Sequence, residues 1–165
     1  MSNKKLITIV SDTSPVISLV SIDRLDILEK LFKKIIIPRA VWNEFTAFEN
    51  EVETDKLKRF FSERVADISQ NNNLLPIMDL GESEAIILYN EIKADFLIID
   101  DLKARQIAEE LGVNCVGTLG ILFKAKEKGL IKELRTLFIK LIENNRYYSK
   151  IILNKLLDLS AEKRI

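Results

Sequence analysis

Apolar, strand-like runs that each break into a helix start at a polar or acidic residue limit this chain to few folds, and the first is the most informative. In Ile7-Thr8-Ile9-Val10-Ser11-Asp12-Thr13-Ser14-Pro15 the stretch from Leu6 to Val10 is rich in β-branched residues and almost continuously apolar. That is the pattern of a strand covered on both faces of a parallel sheet. Asp12 then stands at the strand's carboxyl end, the edge that carries the ligand crevice in open α/β sheets. Ser14 before Pro15 reads as an N-cap followed by proline in the first helical turn. The plainer reading makes Asp12 only a turn or capping residue.

The same unit recurs. Val16 to Val20 reads as a short apolar helix, and Asp23 opens another with Leu25, Leu28, Leu31 and Phe32 at helical spacing. Ile35-Ile36-Ile37 reads as a second strand, and Pro38 opens a helix through Phe48 whose buried stripe is Val41, Phe45 and Phe48. Between Glu49 and Asn73 the pattern loosens into an excursion with a helix from Thr54 to Arg64 and a polar, mobile tip at Ser69 to Asn73. Phe96 to Ile99 is a further strand, ending in Asp100-Asp101 before a helix from Leu102 to Leu111 with Gly112 suited to its C-terminus. Val113 to Val116 supplies another strand, and Gly117-Thr118-Leu119-Gly120 leads into an apolar helix that Thr118 caps and that ends near Gly129. Ile131 to Asn144 and Ser149 to Leu159 read as terminal helices. The expected architecture is a single α/β domain over 1–165, with a core of about 6–145 and a C-terminal helical extension over 146–165.

Composition narrows the chemistry. The 165 residues include no histidine, which removes Ser-His and Cys-His nucleophilic systems and histidine zinc sites. The single cysteine, Cys115, lies in an apolar run and reads as core rather than nucleophile. The 25 basic and 25 acidic side chains cancel, so attraction to a polyanion has to come from a local patch or a metal. Met1 to Lys5 leads into the first strand without a signal-peptide pattern, and no run reaches membrane-spanning length. A cytoplasmic protein is expected.

Carboxylates are the remaining catalytic ligands. Glu44 falls beside the buried stripe of its helix, where it either snorkels to water or faces the first strand's end. Asp79 and Glu82 have the spacing of a capping box, which gives Glu82 a structural explanation. Glu84 lacks that explanation and precedes a helix apolar on nearly every side, so it reads as a ligand or as a favourable charge in the first turn. One of Asp100 and Asp101 is enough to cap the helix after them, leaving its neighbour free at the edge predicted for Asp12. Ser14, Glu82 and Thr118 are candidates for supporting hydrogen bonds. Arg146, Tyr147, Tyr148 and Lys150 either touch RNA by charge and stacking or form a solvated connection between helices. Clustered carboxylates repel unless a cation joins them. An all-oxygen site favours a hard divalent ion, and magnesium or manganese would activate water for phosphodiester hydrolysis, optionally with a second ion roughly 3.5 to 4 Å away.

Taken in order, Ser11-Asp12-Thr13-Ser14-Pro15, Ile37-Pro38 followed by Glu44, Gly81-Glu82-Ser83-Glu84-Ala85-Ile86, Ile99-Asp100-Asp101 followed by Ala104-Arg105, and Gly117-Thr118-Leu119-Gly120 resemble the PIN-domain superfamily. The resemblance spans about residues 6 to 145 and is strongest to small stand-alone proteins similar to VapC-type toxins. It implies a three-layer α/β/α domain with a central parallel sheet, and a magnesium- or manganese-dependent endoribonuclease. Its acidic quartet would fall on Asp12, Glu44, Glu84 and Asp101, with Asp100 a rival for the fourth place. Many PIN domains carry aspartate at the third position, one methylene shorter than Glu84. The resemblance also implies a homodimer, an RNA substrate and a small antitoxin that blocks the site.

Three other readings compete. A catalytically silent PIN-like module would bind nucleic acid or protein without cutting. A receiver-like phosphoacceptor would take phosphate on an aspartate, but here the aspartate pair follows a late strand. A dinucleotide-binding fold needs a glycine-rich turn after the first strand, which this chain lacks.

Overall fold

Among the described residues, five short parallel strands carry the fold, in the order β3-β2-β1-β4-β5. They are β1 (Thr8–Ser11), β2 (Lys34–Pro38), β3 (Val65–Ala66), β4 (Phe96–Ile98) and β5 (Cys115–Val116). The computed structural model describes residues 6–165, so the expectation for Met1 to Lys5 lies outside the described residues. Successive strand residues alternate between two apolar cores, as the two-residue period of a strand requires. Ile9, Ile35, Ile37 and Ile98 enter one core, while Val10, Leu97 and Ile99 enter the other. A sheet buried on both faces explains why these strands read as unbroken apolar runs.

The helices are α1 (Thr13–Ser21), α2 (Asp26–Leu31), α3 (Arg39–Thr46), α4 (Glu51–Phe61), α5 (Leu80–Glu91), α6 (Leu102–Glu110), α7 (Thr118–Glu127), α8 (Leu134–Glu143) and α9 (Lys150–Leu159). α5 and α6 cover one face through Ala85, Ile86, Leu88, Tyr89, Ala104 and Ala108. The others contribute to the opposite core, into which α9 inserts Leu153 and Leu157. The architecture is therefore the expected three-layer α/β/α arrangement. Among the described residues no helix is long and apolar enough to cross a membrane.

Strand order positions the site. The chain runs from β1 outward through β2 to β3, then crosses to β4 on the other side of β1. The carboxyl ends of β1 and β4 are thus a topological switch point, where the diverging connections leave a crevice. The Asp12 N–H donates to the Ile98 carbonyl at 2.9 Å, which fixes the end of β1 against the end of β4.

Several local expectations are corrected. α1 starts at Thr13 with Asp12 in the N-cap position, so Ser14 is not the cap and Pro15 sits in the third helical position. Gly117, not Thr118, occupies the N-cap of α7. The helix expected from Asp23 begins at Asp26, because Asp23 adopts φ 57° as the preceding helix ends. Phe48 lies beyond α3 and is 43% exposed, so it does not continue the buried stripe. α4 starts earlier than Thr54, where the Asn50 side chain accepts the Glu53 N–H at 3.2 Å. The polar tip is anchored: the Ser69 and Gln70 N–H groups donate to the Glu91 carboxylate, and Asn72 Nδ2 donates to Ser83 Oγ at 2.7 Å. Gly112 does end α6 as expected, at φ 81°. Its N–H reaches the Glu109 carbonyl and the Val113 N–H the Ala108 carbonyl, the paired bonds of a Schellman end.

Candidate active site

Asp12 is a buried carboxylate that shares a cleft with Glu44 and Glu82. It is 5% exposed, and burial pushes its carboxyl from an ordinary 3.8 up to about 7. A hydrogen bond from the Thr13 backbone opposes that rise, while the negative charges of Glu82, Glu44 and Asp100 add to it. Each neighbour comes from a different element. Glu44 reaches in from α3 and accepts a hydrogen bond from Thr13 Oγ1. Glu82 lies in the first turn of α5, where burial and the charge of Asp101 raise its carboxyl and a hydrogen bond from the Asp79 backbone lowers it. Asp100 follows β4. A cleft of about 420 Å³ opens onto Asp12, Thr13, Ser14, Glu44, Glu82 and Arg146.

The two aspartates after β4 divide the labour that the sequence left open. Asp101 is the N-cap of α6 and accepts the Ala104 N–H at 2.8 Å. Asp100 accepts the Thr118 N–H and the Thr118 hydroxyl, each at 2.7 Å, and the Tyr148 hydroxyl at 2.9 Å. The fully buried Thr118 therefore orients Asp100 rather than capping its helix. Asp101 still lies near enough to raise Glu82.

Glu82 and Glu84 turn to different partners: Glu82 lines the cleft with Asp12, and Glu84 accepts a backbone N–H of α3. Two residues apart on a helix, they project about 200° from each other. Glu84 turns to α3, where its carboxylate accepts the Ala40 N–H at 3.0 Å and so satisfies a first-turn donor. Only half of the expected capping box forms: Glu82 takes the Asp79 N–H, but Asp79 makes no side-chain cap bond. Glu82 satisfies that donor and still lines the cleft with Asp12, whereas the capping-box explanation of Glu82 had left Glu84 as the expected ligand.

Two further residues at the site come from the C-terminal connection. Arg146 Nε donates to Ser18 Oγ at 2.9 Å, and its Nη2 donates to Ser14 Oγ at 2.7 Å and to the Ser14 carbonyl at 3.2 Å. Ser18 Oγ and the Tyr148 hydroxyl are 2.8 Å apart. Arginine only donates and an ionised aspartate only accepts, so the chain runs in one direction, from Arg146 through Ser18 and Tyr148 to Asp100. Burial and the Asp100 charge push the Tyr148 phenol up to about 12, so it remains a donor. Both residues fell within the basic-aromatic group Arg146, Tyr147, Tyr148 and Lys150; only long-range packing selects two of the four. Tyr147 is 79% exposed. Cys115 is half-buried, and burial raises its thiol to about 11, which leaves it protonated and a poor nucleophile.

The PIN domain family model matches residues 8–162. The chain belongs to the PIN domain family. A solved PilT N-terminus domain protein, SSO1118, from the hyperthermophilic archaeon Sulfolobus solfataricus P2 shares the fold with a TM-score of 0.55. It is 22% identical, and the match covers 72% of this chain and 93% of that one. No curated protein matches the sequence. PIN domains are typically nucleases and generally use divalent metals. In this PIN domain, no group of three or more Asp, Glu or Cys side chains among the described residues is drawn together closely enough to hold a metal ion. The donor set nevertheless fits a magnesium-like ion, which prefers oxygen, keeps several waters and takes only one or two carboxylates directly.

Proposed function

We propose that this PIN domain is a magnesium- or manganese-dependent endoribonuclease. The observation that carries the reading is Asp12: a carboxylate buried at the switch point, beside a cleft that Glu44 and Glu82 also line, whose carboxyl is pushed up to about 7 by that burial and by the negative charges of Glu82, Glu44 and Asp100. Such crowding is costly by itself and is relieved by a cation. Asp12, with one of Glu44, Glu82 and Asp100, would hold the ion directly, and the other carboxylates would meet it through its waters. Asp101 is placed at the margin by its capping bond, and Glu84 is left to α3. When bound, the ion lowers the pKa of a water and offsets charge developing on the phosphodiester.

The protein's own groups keep the ligands in place. Thr13 steadies Glu44, and Thr118 and Tyr148 fix both oxygens of Asp100. Positioning of this kind tunes ligand basicity and geometry. In the same reading the chain acts as one cytoplasmic domain, the toxin of a toxin-antitoxin pair, as a homodimer whose site a small antitoxin covers.

The test is cleavage of a mixed RNA pool by purified protein with magnesium or manganese, beside Asp12→Asn and an EDTA control. Metal-dependent cleavage that disappears in the variant supports the proposal. A folded, inhibitor-free wild type that is inactive in every metal refutes it in favour of a silent binding module.

A further inference from the structure

Arg146 is the cation in the lining of an otherwise acidic cleft, and its position is built from both backbone and side chain. Asn145 takes φ 58° at the end of α8, its N–H reaching the Ile142 carbonyl and the Arg146 N–H the Leu141 carbonyl. This Schellman end fixes where the arginine leaves the helix. Ser14 and Ser18 of α1 then hold Nε and Nη2 through neutral oxygens. Among the described residues Arg146 joins no salt bridge, although Asp12, Glu44 and Glu82 line the same cleft. Its Nη1 donates to no described residue. The guanidinium is thus oriented without being neutralised, with donors left over. The N–H groups left on Nη1 can donate charge-assisted hydrogen bonds to a phosphate oxygen while the serines hold the rest of the guanidinium in place.

We infer that Arg146 is the substrate-phosphate contact of this site, receiving a non-bridging oxygen of a single-stranded RNA phosphodiester beside the carboxylates. The substrate class rests on the nuclease reading, whereas the phosphate contact is measurable without cleavage. With a net charge of zero, the chain has no global field to draw RNA in, so a single well-placed cation weighs heavily.

The experiment measures binding of a short fluorescent single-stranded RNA by anisotropy, with calcium in place of magnesium and over a range of salt. Cleavage in magnesium is followed in parallel for wild type, Arg146→Lys, Arg146→Met and the exposed control Lys163→Ala. The expected result is an affinity loss of at least tenfold in both Arg146 variants. The slope of log affinity against log salt becomes shallower by about 0.7 in Arg146→Met, the value for one phosphate on a single strand. Lys163→Ala behaves as wild type. Arg146→Lys retains donors for the serines, so it reads the phosphate contact even if Arg146→Met folds poorly. Variants that melt earlier but bind RNA like wild type make Arg146 a structural tether and overturn the inference, as does a wild type that binds no RNA. Arg146-dependent binding without cleavage upholds the contact and refutes the nuclease reading. Cleavage and binding both indifferent to Arg146 do the reverse.

Discussion

Gly81 offers the sharpest perturbation of the site, because it separates the position of a carboxylate from its chemistry. A Cβ added there would stand 2.9 Å from Glu44 Cδ and 3.0 Å from Oε2, with Oε1 nearer still. Those atoms are the end of a flexible, exposed side chain, so Glu44 moves and the backbone of α5 does not. Gly81→Ala gains up to about 1 kcal/mol of helix preference, reduced by the position's place in the first turn. It gives up the Thr13 to Glu44 hydrogen bond, worth about 0.5 to 1.5 kcal/mol net. The two effects nearly cancel, so stability should stay within about 1 kcal/mol of wild type and Tm within about 4 °C.

Metal affinity should respond far more. Swinging one carboxylate away from a divalent ion is expected to weaken manganese binding by at least about tenfold, and cleavage at limiting metal should fall in step. Urea unfolding and a manganese titration measure the two arms. A second background sharpens the test: in Glu44→Ala, the added Gly81→Ala has nothing left to displace, so it should leave metal binding unchanged and become stabilising. Unchanged manganese affinity in the single variant would refute the idea that Glu44 acts from its present position. So would a stability loss of about 3 kcal/mol or more, which would mean that the helix rather than the side chain absorbs the clash.

Other perturbations follow from the same geometry. Asp12 has a folded pKa of about 7 against an ordinary 3.8, so the native state binds its proton more tightly than the unfolded chain. Its contribution is complete below about pH 4 and declines by about 1.4 kcal/mol per pH unit until pH passes about 7; magnesium should flatten that decline, and a pH series of metal-free melts that does not fall in this window would contradict the assignment. Asp12→Asn should therefore be more stable than the metal-free wild type at pH 8, by at most about 4 kcal/mol, while losing cleavage. Glu84→Ala should lower stability by about 1 to 2 kcal/mol through the unsatisfied Ala40 N–H, with manganese affinity within twofold of wild type; Glu82→Gln should show the opposite pattern. Lys93 holds φ 52° at the end of α5, so Lys93→Gly should stabilise the protein by about 1 kcal/mol in urea unfolding.

The contrast between Glu82 and Glu84 shows where a sequence stops being legible. The sheet was readable because burial on both faces leaves a local trace: Ile9 and Val10 face different cores, yet both must be apolar. The placement of Asp12 and the Asp100-Asp101 pair was readable for a related reason, since the end of each apolar run marks where β1 and β4 stop. β3 left no trace because two residues carry no periodicity. The start of α4 did have a signal, Asn50 followed three positions later by Glu53, which matches a capping pattern. For Glu82 the local explanation was half right and therefore misleading: its cap to the Asp79 N–H and its approach to Asp12 are both present. Glu84 looked unassigned because its partner, the Ala40 N–H, is 44 positions away.

Arg146 and Tyr148 extend that lesson from single residues to the order of the chain. The carboxylates follow β1, β2 and β4 or open α5, whereas Arg146 and Tyr148 enter after α8, 132 residues from Ser14 and 48 from Asp100. Their route into the site depends on the crossover that puts β4 beside β1, because Ser18 of α1 and Asp100 of the β4 loop become neighbours only in that strand order. The connection between the last two helices is consequently tied to the same crevice as the first strand. A Tyr148→Phe variant isolates this dependence: it removes the hydroxyl that joins Ser18 to Asp100 while preserving the ring's packing. Losing a charge-assisted hydrogen bond to Asp100 should weaken manganese binding by about tenfold and lower stability by about 1 to 2 kcal/mol. A stability loss without any change in manganese affinity would assign Tyr148 to packing alone and remove Asp100 from the set of ligands it is argued to position.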